Sequence, residues 1–254
     1  MSADAGEALS RNGSDADGTR RVFLHVGAPK TGSTYVQHVL WHNREPLRRA
    51  GLLLPGTPSA HDQAMTDLRG VPWRDPAATW TWDRLAAAAG AWPGDVIISN
   101  EALGGATAAQ AARAVRSLAP AEVHVIVVGR DLWRTFPSMW QQSIRERRVW
   151  RFETFLRAVE RGEFETFWEL HTANRMLRRW GDLVPADRRH LVTVPAPGAP
   201  HDTLWRRFAG TEVERYREGQ SLSAEVVTRE AIEPYPDLPV SVGLISSDID
   251  PEHG

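Results

Sequence analysis

The sequence predicts an α/β protein with a central parallel sheet and helices on both faces. Three observations carry this. Short, nearly unbroken apolar runs recur at 21–26, 95–99 and 123–128, as expected of strands covered on both faces. Helix-patterned stretches lie between them. Each run is followed by polar, loop-forming residues, so the polar motifs converge on the carboxyl edge, where open parallel sheets bind ligands.

The elements follow in order. Residues 21–26 form the first strand, ending in the loop 27–32. Residues 33–49 read as one helix, with Val36, Val39, Leu40 and Leu47 at helical spacing. A short strand at 51–54 is stopped by Pro55-Gly56. The polar, proline-containing stretch 58–78 is expected to be irregular, with a short helix around 61–68. A helix covers 80–91, and Trp92-Pro93-Gly94-Asp95 makes a turn. Val96, Ile97 and Ile98 make 95–99 a buried strand, and the Ala-rich 107–118 is helical. The β-branched run 123–128 is the central strand. Residues 131–148 form a helix that Pro137 must either begin or kink. One or two helices occupy 152–180, a strand 190–194, a loop 195–200 and a short helix 203–209. No internal repeat is present. The expected organisation is a disordered tail over 1–20, one folded domain over 21–232 and a loosely attached tail over 233–254.

Composition narrows the function. The 254 residues are 42% hydrophobic and 24% charged, with net charge -2, which suits one compact domain and argues against a general nucleic-acid binder. The basic cluster Arg145-Glu146-Arg147-Arg148 is interrupted by acid and reads as a solvated helix face. The absence of cysteine excludes disulfides, thiolate metal sites and cysteine nucleophiles. No apolar run approaches the roughly 20 residues that span a membrane. The N-terminal stretch lacks the apolar core of a signal peptide, so a cytoplasmic location is expected. The 11 tryptophans are expected in the core and in cleft walls.

The most informative stretch is 22–37, where an apolar strand enters a loop, Gly27-Ala28-Pro29-Lys30-Thr31-Gly32, that opens a helix with Ser33 and Thr34. Unpaired amides and the helix dipole make such a junction a phosphate cradle. The order matters: a Walker A loop places its lysine after the second glycine, whereas Lys30 precedes Gly32. This loop is not laid out for ATP or GTP. A second anion-binding pattern follows the central strand. Arg130 stands at its end and Ser138 eight residues on, a guanidinium fork and a hydroxyl suited to a terminal phosphate. Taken alone, Arg130-Asp131 reads as a structural ion pair.

Together the two motifs, Pro29-Lys30-Thr31-Gly32-Ser33-Thr34 and Val127-Val128-Gly129-Arg130-Asp131 with Ser138, resemble the sulfotransferases that use 3′-phosphoadenosine 5′-phosphosulfate (PAPS). The resemblance covers about residues 21–210. The run Met176-Leu177-Arg178-Arg179-Trp180 and the short loops are similar to the bacterial small-molecule and carbohydrate branch. It implies a three-layer P-loop NTPase-like fold and in-line sulfuryl transfer from PAPS to a hydroxyl or amine, releasing 3′,5′-bisphosphoadenosine (PAP) without a metal. It implies that Lys30 meets charge on the bridging oxygen. The amides of Thr31, Gly32, Ser33 and Thr34 hold the 5′-phosphate with the hydroxyls of Ser33 and Thr34, and Arg130 and Ser138 hold the 3′-phosphate. Arg217 in Arg217-Glu218-Gly219 corresponds to a late basic-glycine loop, with Glu218 where a second cation is expected.

An acceptor hydroxyl needs a base. Glu101 is the first candidate because it follows the strand 95–99; His61, in the polar stretch, is the alternative. His25 lies inside a strand and is expected to be packing. Trp133, Trp140 and Trp205 are candidates to clamp adenine. The acceptor site is expected from 55–82 and 145–171, whose Trp and Arg suit an aromatic or sugar-bearing molecule such as a natural product or glycolipid. Two other functions stay open: a small-molecule kinase with a rearranged P-loop, and a non-catalytic nucleotide-binding module. The oligomeric state is open too, a homodimer among the options.

Overall fold

The computed structural model describes residues 19–164 and 166–210. Five strands form one parallel sheet in the order β2-β3-β1-β4-β5: β1 (Arg21–Gly27), β2 (Leu52–Leu53), β3 (Asp95–Ser99), β4 (Glu122–Gly129) and β5 (Arg189–Thr193). The central position of β1, flanked by β3 and β4, brings three loop-bearing carboxyl ends together. This is the P-loop-like α/β fold expected from the sequence.

Strand alternation divides the core in two. Val22, Leu24 and Val26 of β1 join Val96, Ile98, Val123, Val125 and Val127 on one face. That face is covered by α3 (Pro58–Arg69), α4 (Trp82–Gly90), α5 (Ala108–Ser117) and the π-turn Leu177–Gly181, through Leu68, Trp82, Leu85, Ala114 and Trp180. Phe23, Ile97, Ile126, Val128 and Val192 face the other way. They meet α1 (Ser33–His42), α2 (Arg44–Arg49) and α10 (Thr203–Ala209). Because both faces are covered, the strands read as continuous apolar runs.

Three departures from the sequence reading have local causes. The helix expected over 33–49 breaks at Asn43, whose side-chain amide bonds the Val39 carbonyl at 2.8 Å. Pro46 has no N–H to continue the α1 ladder, so the chain restarts as α2. The stretch expected to be irregular holds the twelve-residue α3. Thr57 accepts from Ala60 N at its start, Pro58 occupies the first helical position and Gly70 ends it at φ +60°. Finally, α6 (Leu132–Arg145) carries exposed Pro137 internally and stops three residues early. Beyond it, α7 (Phe152–Glu160), α8 (Phe167–His171) and α9 (Ala173–Met176) replace the one or two helices expected, building an aromatic cluster around Phe155, Val159 and Phe167.

The site is positioned by a close approach. The 3₁₀ turn Glu101–Gly105 folds back over the end of β1. A Cβ on Gly27, which has φ +139°, would lie 2.9 Å from the Glu101 carbonyl oxygen. A Cβ on Gly104 would lie 2.6 Å from the Val26 carbonyl oxygen and 2.7 Å from Met176 Sδ. Only glycine lets these backbones touch. Gly104→Ala is therefore expected to cost about 1–3 kcal/mol, the range for overpacking. Gly90→Ala, with nothing within 4 Å of the added methyl, should be neutral or gain up to about 1 kcal/mol. Urea unfolding of both variants checks the pair.

Candidate functional site

The loop after β1 is held from two sides. Ala28 N donates to Val128 O at 2.8 Å, pinning the loop to the neighbouring strand end. The Thr31 hydroxyl donates to the Ala28 carbonyl, so this buried side chain braces the loop from inside. Gly32 at φ +86° is the N-cap of α1, and its missing side chain leaves room for Leu204 of α10, whose Cδ2 would lie 2.5 Å from an added Cβ. The N-caps of α3, α4, α5 and α6 accept from the helix with their side chains. Among the described residues no side chain caps α1 in this way, nor α2 or α7 to α10. As at any helix start, the first amides of α1 have no intrahelical partner; of the two hydroxyl residues there, Ser33 is buried and Thr34 exposed.

Lys30 is the only lysine in the chain. Its backbone sits at φ +64°, unusual for a residue with a side chain. Arg130, at the end of β4, donates from Nη1 to the Lys30 carbonyl at 2.8 Å. The two sequence motifs thus meet in one hydrogen bond. Arg130 Nε is buried without a partner among the described residues, leaving donor capacity at that corner. Asp131 does not pair with Arg130: it caps α6 and binds Arg134. The structural ion pair expected of Arg130-Asp131 is therefore absent among the described residues, because the next helical turn takes the carboxylate. Ser138 lies on α6, half-buried, four residues before Gln142 and so on the same helix face. Gln142 Oε1 accepts from Lys30 Nζ at 2.9 Å.

Glu101 begins the 3₁₀ turn after β3, and its Oε2 accepts from Gln37 Nε2 on α1 at 2.7 Å. Three side chains hold the turn. Asn100 caps it through Ala102 N and reaches Asp62 Oδ1 at 2.7 Å. Arg69 donates to Ala102 O at 3.1 Å. Arg179, from the run at 176–180, donates to Gly104 O and binds Glu169. Glu101 is thereby placed against α1 on a braced turn. Burial holds the Lys30 pKa below its ordinary value and Arg145 lowers it further, while Glu101 and Glu146 oppose the shift. Lys30 thus has Glu101, Arg145 and Glu146 as electrostatic neighbours. Burial also raises the Asp62 carboxyl, with Glu101 adding to the rise and Asn100 opposing it.

His61, the alternative base, does not stand open to a substrate. It is 2% exposed on α3, with Nε2 against Pro55 O at 2.9 Å and Nδ1 against the Ser99 backbone at 3.3 Å. Both ring nitrogens serve the main chain, and burial lowers its pKa. His25 is buried as expected, with Nδ1 and Ser99 Oγ 2.7 Å apart. Of the tryptophans, Trp205 is in the core and Trp140 donates to Trp150 O within the aromatic cluster, whereas Trp133 is 86% exposed. Arg217 lies outside the described residues.

Gln37 and Gln142 were not singled out as site residues by the sequence. A glutamine carries no motif, and its position against Lys30 or Glu101 depends on tertiary packing. His171, buried at the end of α8, hydrogen-bonds the Pro29 backbone of the loop.

Solved structures similar to the chain include two enzymes. A sulfotransferase from Alicyclobacillus acidocaldarius superposes with a TM-score of 0.48 at 16% identity, over 79% of this chain and 79% of that one. A fungal RNA kinase does so with a TM-score of 0.48 at 11% identity, over 86% and 99%. Neither likeness decides what this chain binds or transfers. No protein-family model matches the chain, and no curated protein matches it in sequence. Among the described residues no helix is long and apolar enough to cross a membrane.

Acid should loosen the site. Burial lowers the pKa of His25 to about 4, and burial with the Lys30 charge does the same to His171. Below about pH 6.5 the unfolded chain protonates both rings, while the folded chain resists until about pH 4. Stability is therefore intact above pH 6.5 and falls across that window, by about 3 kcal/mol per histidine. Urea unfolding at about pH 7 and pH 4.5 should show the loss, and His25→Gln should flatten the slope.

Proposed function

We propose that the chain is a PAPS-dependent sulfotransferase acting on a hydroxyl or amine of a small-molecule or carbohydrate acceptor. The observation that carries the reading is the hydrogen bond from Arg130 to the Lys30 carbonyl, which joins two anion-recognition motifs into one site. A ligand with a phosphosulfate at one end and a second phosphate at the other fits that pairing. The side chains fit it too: an uncapped helix start, the unpartnered Arg130 Nε and the half-buried Ser138.

PAPS, when bound, supplies the sulfuryl group and a phosphate leaving end. The residues of the chain do the rest. The α1 amides with Ser33 and Thr34 hold the 5′-phosphate, and Arg130 with Ser138 holds the 3′-phosphate. Lys30 places its ammonium where negative charge grows on the leaving oxygen, in the manner of phosphoryl-transfer sites. A lysine suits this better than an arginine because its compact charge can follow one oxygen. Gln142 gives the ammonium a resting partner. Glu101, oriented by Gln37, accepts the acceptor proton. His61 has no part in this step, since both its nitrogens are committed to the main chain.

Calorimetry and turnover test the reading. PAP should bind more tightly than adenosine 5′-phosphate, and Arg130→Ala should erase about 1.5–3 kcal/mol of that difference, the worth of hydrogen bonds to a charged group. Glu101→Gln should cut sulfuryl transfer by about 10²–10⁴-fold without changing PAP affinity. Equal affinity for the two nucleotides would remove the 3′-phosphate site and the reading with it.

A further inference from the structure

The seven residues 145–151 hold four arginines and one glutamate. They are not the solvated helix face expected of them. The helix ends at Arg145, and Arg147 turns the chain at φ +64°. Arg147 N bonds Ile144 O and Arg148 N bonds Ser143 O, each at 2.9 Å. Trp140 Nε1 ties the far end by donating to Trp150 O at 2.7 Å. The segment is a strap fastened to α6.

The charges on this strap are unequal in their commitments. Glu146 accepts from the Gln142 amide at 3.0 Å, and the Arg148 guanidinium lies over the Phe164 ring at 5.3 Å. Arg145, Arg147 and Arg151 are exposed, and among the described residues they form no ion pair. Val149, 85% exposed, stands between them. Like charges held on one strap repel one another, and a bound anion relieves that repulsion.

Position along α6 says which anion. Arg130 and Ser138 lie at its start and first half, Gln142 touches Lys30, and Arg145 follows three residues later on the same face. At 1.5 Å per residue, Arg145 is roughly 10 Å beyond Ser138. The order along the helix is nucleotide end, transferring group, then strap. The strap therefore borders the side from which an acceptor approaches Glu101 and Lys30. Glu101 is an electrostatic neighbour of both Lys30 and Asp62, so negative charge on the acceptor is repelled there and drawn to the strap.

We infer that the acceptor carries an anionic group of its own, a carboxylate, phosphate or sulfate ester, bound by Arg145, Arg147 and Arg151. This rests on the sulfotransferase reading for the direction of approach. Two matched probes test it: 4-nitrophenyl β-D-glucuronide and 4-nitrophenyl β-D-glucoside, which differ by a carboxylate in place of a hydroxymethyl group. Dissociation constants are measured with and without PAP at roughly 50 mM salt, where the Debye length still exceeds 10 Å. The wild type should bind the glucuronide about tenfold more tightly. Arg147→Glu with Arg151→Glu should abolish that preference at unchanged PAP affinity, and Arg116→Glu, on α5, should retain it. Equal binding, no glucuronide binding, or a preference that survives the double reversal overturns the inference. If PAP does not bind while the preference holds, the strap assignment stands and the sulfotransferase reading fails instead.

Discussion

The arrangement depends on a backbone contact, the 2.8 Å hydrogen bond from Arg130 to the carbonyl of Lys30. Lys30 occupies a left-handed conformation at φ +64°, which costs a residue with a side chain about 1–2 kcal/mol. A hydrogen bond from a charged donor is worth about 1.5–3 kcal/mol. The second figure covers the first, so the guanidinium at the end of β4 can hold the β1 loop in its shape. The same contact brings Arg130 next to the cradle. Loop geometry and the distance between the two sequence motifs are thus set by one side chain. Burial lowers the pKa of that arginine, with Arg134 adding to the effect and Asp131 opposing it. A guanidinium stays charged despite this, where a lysine in the same place would be more easily neutralised.

A second constraint places Glu101, the proposed base. The 101–105 turn touches β1 through Gly27 and Gly104, and its free side is held by Arg69, Arg179 and Asn100. Such bracing matters for a group that must meet a proton at hydrogen-bond distance. Arg179 does this from the run 176–180, which in the sequence carries only a resemblance to one branch of a family. In the fold it links α8 to the turn. Arg69 and Arg179 thus serve the turn, while the one lysine of the chain lies in the β1 loop against Gln142.

Much of the fold was legible in the sequence because a parallel sheet writes itself as apolar runs. The strand 95–99 and the helix 203–209 fall where their patterns place them. The misreadings come from residues whose roles are decided at a distance. The buried face of α3 is short and partly small (Ala60, His61, Ala64, Met65 and Leu68), so its polar composition masks it, although Thr57-Pro58 and Gly70 mark its ends. His61 was misplaced with it. In the candidate site, Lys30, Arg130 and Glu101 announce themselves by standing at strand ends. Gln37 and Gln142 do not, since an amide's partner depends on which helix packs beside it. The strap at 145–151 misleads for a further reason: helical spacing persists in the sequence past the residue where the backbone turns.

The most direct measurement uses the single lysine. Acetylation by acetic anhydride, followed by mass spectrometry of the Lys30 peptide, reports on that amine alone. If Lys30 faces the phosphate end of a PAP site, saturating PAP should slow its acetylation about tenfold or more while adenosine leaves it unchanged. An acetylation rate indifferent to PAP would contradict the account.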